Sequence, residues 1–350
     1  MSPTSYLTAP PRVAPLNLAP ALRWVNIDRA YYPPRRTIPR MPAHRVAVVD
    51  LGTNTTRLLV ADVRDQDVTE VDRRTEVTGL GRGVDANGRL DDEAIERVVE
   101  TLGGYREAID AADVERTFTV ATSAVRDAAN GEEFRATLHE RFELDVHAIT
   151  GEEEARLTFL GATSRRAPGA DPVMVIDVGG GSTELVVGVA GDEPTFVVST
   201  QAGSVRQTDR HLPDDPPSDE GLAELRSDVE SILSEAVPPA VRGSVRTGIA
   251  VAGTATSLAA IDQELEPYDP ARVDGYELDL EACERMLAML AARPLEERRE
   301  IPGLEPKRAP TIVAGAAILV EAVLVFELES LVVSEADILH GAALRATEVV

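Results

Sequence analysis

From Arg45 onward the chain alternates short apolar runs with polar turns, a spacing that predicts strands separated by helices. A first strand is expected at Val46–Val49, a turn at Asp50–Thr55, a second strand at Arg57–Asp62 and a third near Thr69–Thr78. Residues 91 to 112 then change to helical spacing. Ile95, Val98, Val99, Leu102, Tyr105 and Ile109 share one face behind the capping pair Asp91 and Asp92. A strand at Thr117–Thr122, a helix at Gly131–Phe142, a strand at Asp145–Ile149 and a helix at Glu152–Ser164 complete an alternating α/β half. Arg165–Asp171 reads as a linker.

The second half repeats the first. Val46 to Val60 aligns without gaps on Val173 to Val187, with seven of fifteen positions identical. Asp50 falls on Asp177 and Gly52 on Gly179, the residues that make the turn, so more than strand composition is shared. Two related domains facing each other follow: 44–166 and 167–334, with a C-terminal helix over 335–350 returning to the first. The longest apolar run, Thr311–Phe326, contains Glu321 and is shorter than the roughly 20 residues that span a bilayer, so it is expected as a buried helix.

Composition narrows the function. Sixty acidic against 35 basic residues give a charge of −25, which repels nucleic acid and anionic membranes, so neither is expected as a partner. An anionic substrate must therefore meet a local basic patch. One cysteine, Cys283, allows no intrachain disulfide, and the five histidines lack metal-ligand spacing. Residues 1–43 differ from the rest, with six arginines, one aspartate, no glutamate and nine of the 23 prolines. That composition predicts disorder, with Met41, just before the first strand, as the biological start.

A strand ending in Asp-x-Gly-x-x-[Ser/Thr] presents a carboxylate at its tip and backbone N–H groups in the turn, where glycine permits close approach to phosphate oxygens. Asp50–Thr55 is one copy, and Asp177–Thr183, with three consecutive glycines, is the richer one. A third loop, Val251–Ser257, carries Gly253 and Thr254 between a strand at Gly248–Val251 and a helical stretch, so its helix N-terminus can face an anion. Asp177 and Glu184 lie across the second turn from one another, where they either hold a hydrated Mg²⁺ or stand as two solvated carboxylates. Glu152, Glu153 and Glu154 open a helix; their ordinary reading is dipole pairing, and their place beside the linker also suits a general base.

Seven motifs in order make the chain resemble the exopolyphosphatase and guanosine pentaphosphate phosphohydrolase family, within the sugar kinase, heat-shock ATPase and actin superfamily. They are Val48–Asn54, Ala121–Asp127, Thr150–Arg156, Val175–Glu184, Gly203–Arg206, Ala252–Ser257 and Pro302–Ala309. The resemblance implies two ribonuclease-H-like (actin-like ATPase) α/β domains with an interdomain cleft. It also implies Mg²⁺-assisted hydrolysis of the terminal phosphoanhydride of polyphosphate or guanosine pentaphosphate. Carried over, the catalytic base falls on Glu154 and the arginine near the phosphates on Arg126. Thr53, Asn54 and Thr55 match the first phosphate loop, and Gly179, Gly180, Gly181 and Ser182 the second. The metal-associated acids fall on Asp177 and Glu184, with Asp50 as a helper through water. Arg206, Lys307 and Arg308 would line the polyanion path.

Two departures matter. Pro310 stands where close relatives carry an acid, and the helical domain that longer members append has no counterpart, so short polyphosphate chains are the expected substrates. The resulting expectation is a cytoplasmic exopolyphosphatase, with the family's homodimer left open. Guanosine pentaphosphate hydrolysis, a small-molecule kinase of the same superfamily and a non-catalytic nucleotide or polyphosphate sensor are its rivals. A chain begun at Met41 is expected to keep full activity and stability. Unfolding of that chain, or a loss of activity of about tenfold, would overturn the reading of the extension.

Overall fold

The computed structural model describes residues 43–167 and 171–348, so the disorder expected for residues 1–43 lies, except for Ala43, outside the described residues. Five strands form the first sheet: β1 (His44–Leu51), β2 (Thr55–Arg64), β3 (Asp67–Val77), β4 (Arg116–Ala121) and β5 (Val146–Ala148). Their order is β3-β2-β1-β4-β5. β1, β2 and β3 are antiparallel, while β4 and β5 join parallel to β1. The second sheet contains β6 (Val173–Val178), β7 (Thr183–Gly188), β8 (Phe196–Thr200), β9 (Thr247–Val251), β10 (Glu277–Asp279) and β11 (Ser330–Val333). Its order, β10-β11-β9-β6-β7-β8, repeats the first with β10 added at one edge. The repeat seen in the hairpin sequences therefore extends to the topology, and each lobe is ribonuclease-H-like.

Helices cover both sheets. The first lobe has α1 (Val84–Asn87), α2 (Asp92–Ala111), α3 (Ser123–Asp127) and α4 (Gly131–Phe142), and α5 (Gly151–Thr163) follows them in the chain but packs on the second sheet. The second has α6 (Ser204–His211), α7 (Asp219–Ala236), α8 (Pro239–Arg242), α9 (Ala252–Asp262), α10 (Pro270–Val273), α11 (Leu280–Ala291), α12 (Leu295–Arg298) and α13 (Ile312–Val325), and α14 (Ile338–Glu348) ends the described chain. Because a strand's side chains alternate, β1 sends Ala47, Val49 and Leu51 toward α2 and α4, and Val46 and Val48 toward Leu339, Ala342 and Ala343 of α14. β6 does the same in the second lobe. Val173 and Val175 pack on Ala155, Phe159 and Ala162 of α5, while Met174 and Ile176 join the large core around α13. The apolar run at 311–326 is thus α13, buried except at Leu324, with Glu321 paired to Arg226 at 2.5 Å.

Both central strands are apolar on both faces because a helix lies on each side. α5 covers the second sheet and α14 the first, so their mutual contact ties the lobes together. They cross at Gly161 and Gly341. A Cβ on Gly161 would drive into the carbonyl oxygen of Asp337, and one on Gly341 into that of Leu157. The two backbones touch, and only hydrogen fits at the crossing.

Gly161→Ala is therefore expected to destabilise the protein by about 1–3 kcal/mol or more through overpacking, lowering the melting temperature by several degrees. Gly103→Ala is the control: within α2 nothing lies within 4 Å of an added Cβ, and alanine there should add about 0.5–1 kcal/mol. Thermal unfolding of the two variants checks this. Equal effects of the two changes would refute the tight crossing.

Candidate active site

The strand-turn-strand units place two loops face to face between the lobes. In the first, the carbonyls of Thr53 and Asn54 accept from Gly81 N and Gly79 N at 2.8 and 2.9 Å. In the second, the carbonyls of Gly179 and Gly180 accept from Ser204 N and Val205 N, the first turn of α6, at 2.9 and 2.8 Å. With their carbonyls turned outward, the amides of Thr53, Asn54, Gly180 and Gly181 make no hydrogen bond among the described residues. Such free N–H groups are anion donors. The loops also touch each other: a Cβ on Gly180 would lie 3.0 Å from Thr53 Cβ and 3.1 Å from Asn54 N, and one on Gly181 2.5 Å from Ser123 Oγ.

One cavity opens between them. Among its lining residues are Asp50, Thr53, Asn54, Thr55, Glu154, Asp177, Gly179, Gly180, Gly181, Ser182, Gly253, Thr254 and Arg308, all singled out from the sequence. Four sequence candidates are not part of that lining. Glu184 sits behind Asp177, its register partner across the β6–β7 hairpin. Arg126 donates to the Ile149 carbonyl at 3.0 Å and lies 3.5 Å from Glu154 Oε2. Arg206 binds Asp85, Asp127 at 3.0 Å and the Gly181 carbonyl at 2.8 Å. Exposed Lys307 pairs with Glu76 at 3.0 Å. Of the three cations expected along a polyanion path, only Arg308 has no ion pair or hydrogen bond to its guanidinium among the described residues.

The three glutamates that open α5 are not equivalent. Glu153 closes a capping box with Thr150, accepting from Thr150 N at 2.8 Å, and Glu152 is exposed. Glu154 points inward and is 8% exposed. Burial first, then the charges of Glu184, Asp177 and Asp50, raise its pKa well above the usual carboxylate range, with Arg126 opposing. Burial and Glu184 push Asp177 up to about 8, although Thr158 Oγ1 lies 3.4 Å from its Oδ2. Burial also raises Glu184 to about 7, against the nearby Ser182 hydroxyl and a hydrogen bond that Ser199 Oγ donates to its Oε1 at 2.7 Å. Acidic groups this close and this dry call for protons or a cation.

Sequence reasoning passed over Arg57 and Asp337. Arg57 Nε and Nη2 donate to Asp50 Oδ2 at 2.8 and 2.6 Å, and Nη1 donates to Asp337. Burial works against the charge of Arg57, and Asp337 and Asp50 more than offset it. The repeat alignment held the signal: Arg57 stands where the second hairpin has Glu184. One hairpin tip thus pairs a carboxylate with a guanidinium and the other pairs two carboxylates. Asp50, expected among the metal-associated acids, has one oxygen committed to Arg57 and keeps only Oδ1 unpartnered.

The sequence profile of the Ppx/GppA phosphatase family matches residues 59–348. Among curated relatives, Exopolyphosphatase 2 of Mycobacterium tuberculosis is 38% identical over 324 residues, covering 87% of this chain and 99% of the relative. A Ppx/GppA family member from Aquifex aeolicus superposes with a TM-score of 0.74 at 33% identity, covering 88% of this chain and 98% of that one. The structure of an exopolyphosphatase from Cytophaga hutchinsonii gives a TM-score of 0.77 at 26% identity, with 85% and 96% covered. Profile, relatives and lobe topology agree, and the chain belongs to the Ppx/GppA phosphatase family.

Proposed function

We propose that the protein is an exopolyphosphatase that releases terminal orthophosphate from inorganic polyphosphate. The observation that carries this reading is a cavity where two loops of free amides meet a buried glutamate and an arginine that is unpaired among the described residues. Phosphoanhydride cleavage demands positioning and charge neutralisation more than covalent chemistry, and that is what such a cavity supplies. The terminal phosphoryl group is held by the amides of Thr53, Asn54, Gly180 and Gly181, with Arg308 to one side. Glu154 orients a water and takes its proton as the water oxygen bonds to phosphorus and the bridging P–O bond breaks. The shortened chain leaves with that bridging oxygen. A carboxylate whose pKa lies well above its usual range is a stronger base near neutral pH than an exposed one, and Arg126 beside it keeps the charged form accessible.

A divalent cation fits the same corner. Among the described residues Glu184 Oε2 and Asp50 Oδ1 are buried without partners, and Asp177 and Glu184 are held high by burial, so the donors are oxygen atoms in want of positive charge. Among the described residues no group of three or more such side chains forms a complete cage. Mg²⁺ suits that arrangement, since it is usually held by one or two carboxylates together with substrate phosphate and water. Asp177 and Glu184 would hold it, and it would neutralise charge on the phosphate oxygens.

Two measurements test the reading. Glu154→Gln keeps shape and hydrogen bonding but cannot accept the proton, so kcat for phosphate release should fall by about 10²–10⁴ while polyphosphate still binds. Glu152→Gln and Glu153→Gln should stay close to wild type. A dead Glu153→Gln, or a Glu154→Gln variant retaining more than about a tenth of kcat, would remove Glu154 from the role of base. The second concerns pH. Carboxylates whose folded pKa is raised bind more protons folded than unfolded, so without divalent ions stability should fall as pH rises from about 5 through the region of 7 to 8. Millimolar Mg²⁺ should restore more melting temperature at pH 8 than at pH 6, and Glu184→Gln should flatten both dependences. An unchanged Mg²⁺ response in Glu184→Gln would exclude this pair as the cation site.

A further inference from the structure

We propose that Gly253 is a positioning residue for Arg308: its bare Cα is the seat on which the Arg308 guanidinium rests beside the phosphate pocket. The inference deepens the function proposed above and rests on it. Arg308 closes a short 3₁₀ turn, Pro306–Arg308, and lines both the phosphate cavity and a larger open chamber that shares Arg57, Ala252, Gly253 and Arg308 with it. The neighbouring cations are already engaged: Arg57 by Asp50 and Asp337, Lys307 by Glu76, Arg206 by Asp85 and Asp127. Arg308 has no such partner among the described residues. A half-buried cation without an ion pair is unfavourable by itself, and an arriving phosphate oxygen would relieve it. Burial and the nearby Arg57 lower the pKa of Arg308 from its usual value, and Tyr268, Glu305 and Glu335, none of them paired with it, offset only part of this.

What holds the guanidinium there is the shape of the β9–α9 elbow. Ala252 takes φ 63°, a left-handed turn that a side chain rarely adopts, and swings the chain from strand into helix. Gly253 follows with ordinary backbone angles, in the first turn of α9, where alanine would be a better helix former. Nothing in the backbone asks for glycine. The demand comes from Arg308: a Cβ at 253 would overlap Nη1, Cζ and Nη2, the flat end of the guanidinium, and no backbone atom is among its three nearest neighbours. An alanine would therefore push the guanidinium aside and leave the loop where it is.

A double-mutant cycle tests this, with tripolyphosphate as the probe and its dissociation constant measured by calorimetry alongside phosphate release. Arg308→Ala should weaken binding by about 10- to 100-fold, the range for a hydrogen bond to a charged group. Gly253→Ala should weaken it nearly as much. Combined with Arg308→Ala, however, Gly253→Ala should change binding by less than about twofold and leave the melting temperature unchanged or higher, because the clash has gone. Equal weakening by Gly253→Ala in both backgrounds would show that the glycine serves the loop itself and would overturn the seat, as would a Gly253→Ala variant that binds like wild type. Should Gly253→Ala alone fail to fold while the double variant folds, the clash with Arg308 is the cause and the seat stands. Wild-type binding by Arg308→Ala would remove Arg308 as an anion contact and the inference with it. If wild type binds tripolyphosphate but releases no phosphate, the hydrolase reading falls while the binding cycle still decides the role of Gly253. No binding by wild type would end both.

Discussion

The site depends on the backbone contact between α5 and α14. α5 is packed on the second sheet and carries Glu154 at its first turn, while α14 is packed on the first sheet and follows directly on Asp337. Because Gly161 and Gly341 let the two helices touch without intervening side chains, each lobe is referenced to the other at backbone precision. Glu154, mounted on one lobe, can then face a loop mounted on the other, as the proposed base must. Were the helices held apart by even a methyl group, Glu154 would move relative to the Thr53–Thr55 loop, and positioning is the larger part of what this chemistry needs.

The second constraint is electrostatic. A protein with a charge of −25, if it handles a polyanion as proposed, must offset the acids that line its own cavity with donors that carry no counter-charge. Backbone amides meet that requirement, since they attract phosphate without a partner that competes for it. Most arginines around the cleft are tied to carboxylates, as Arg206 and Arg210 are to Asp85, which bridges the second lobe to the first. Arg308 stands apart from this pattern among the described residues and is correspondingly placed at the pocket wall.

The duplicated hairpin shows how one scaffold acquires two jobs. Both copies bring an aspartate to a strand tip and a residue opposite it on the neighbouring strand, Arg57 in the first and Glu184 in the second. With arginine opposite, Asp50 becomes part of a buried ion pair that also engages Asp337. With glutamate opposite, Asp177 belongs to an acidic pair whose protonation burial favours, and which a cation would satisfy.

Much of this was legible in the chain alone. Short apolar runs between polar turns and helical spacing located the strands of the first half and α2, α4 and α5 to within a residue or two, because burial in a sheet or on a helix face imposes those patterns directly. The repeat of the Asp-x-Gly turn located both loops of free amides, since a turn that leaves its amides exposed admits few residues. What only the tertiary structure decided was which charges face one another. On local grounds Glu152, Glu153 and Glu154 were neighbours of equal standing, and only the resemblance pointed to Glu154; the fold tells them apart, with Glu153 in a capping box and Glu154 buried. The resemblance likewise placed Arg206 and Lys307 beside Arg308 as a single basic path. Their partners, Asp85, Asp127 and Glu76, lie on the other lobe, between 79 and 231 positions away in the chain, and an ion pair at that separation leaves no local periodicity to read. Local pattern records what a residue does to its own strand or helix, whereas the state of a charge is set by whatever the fold brings against it.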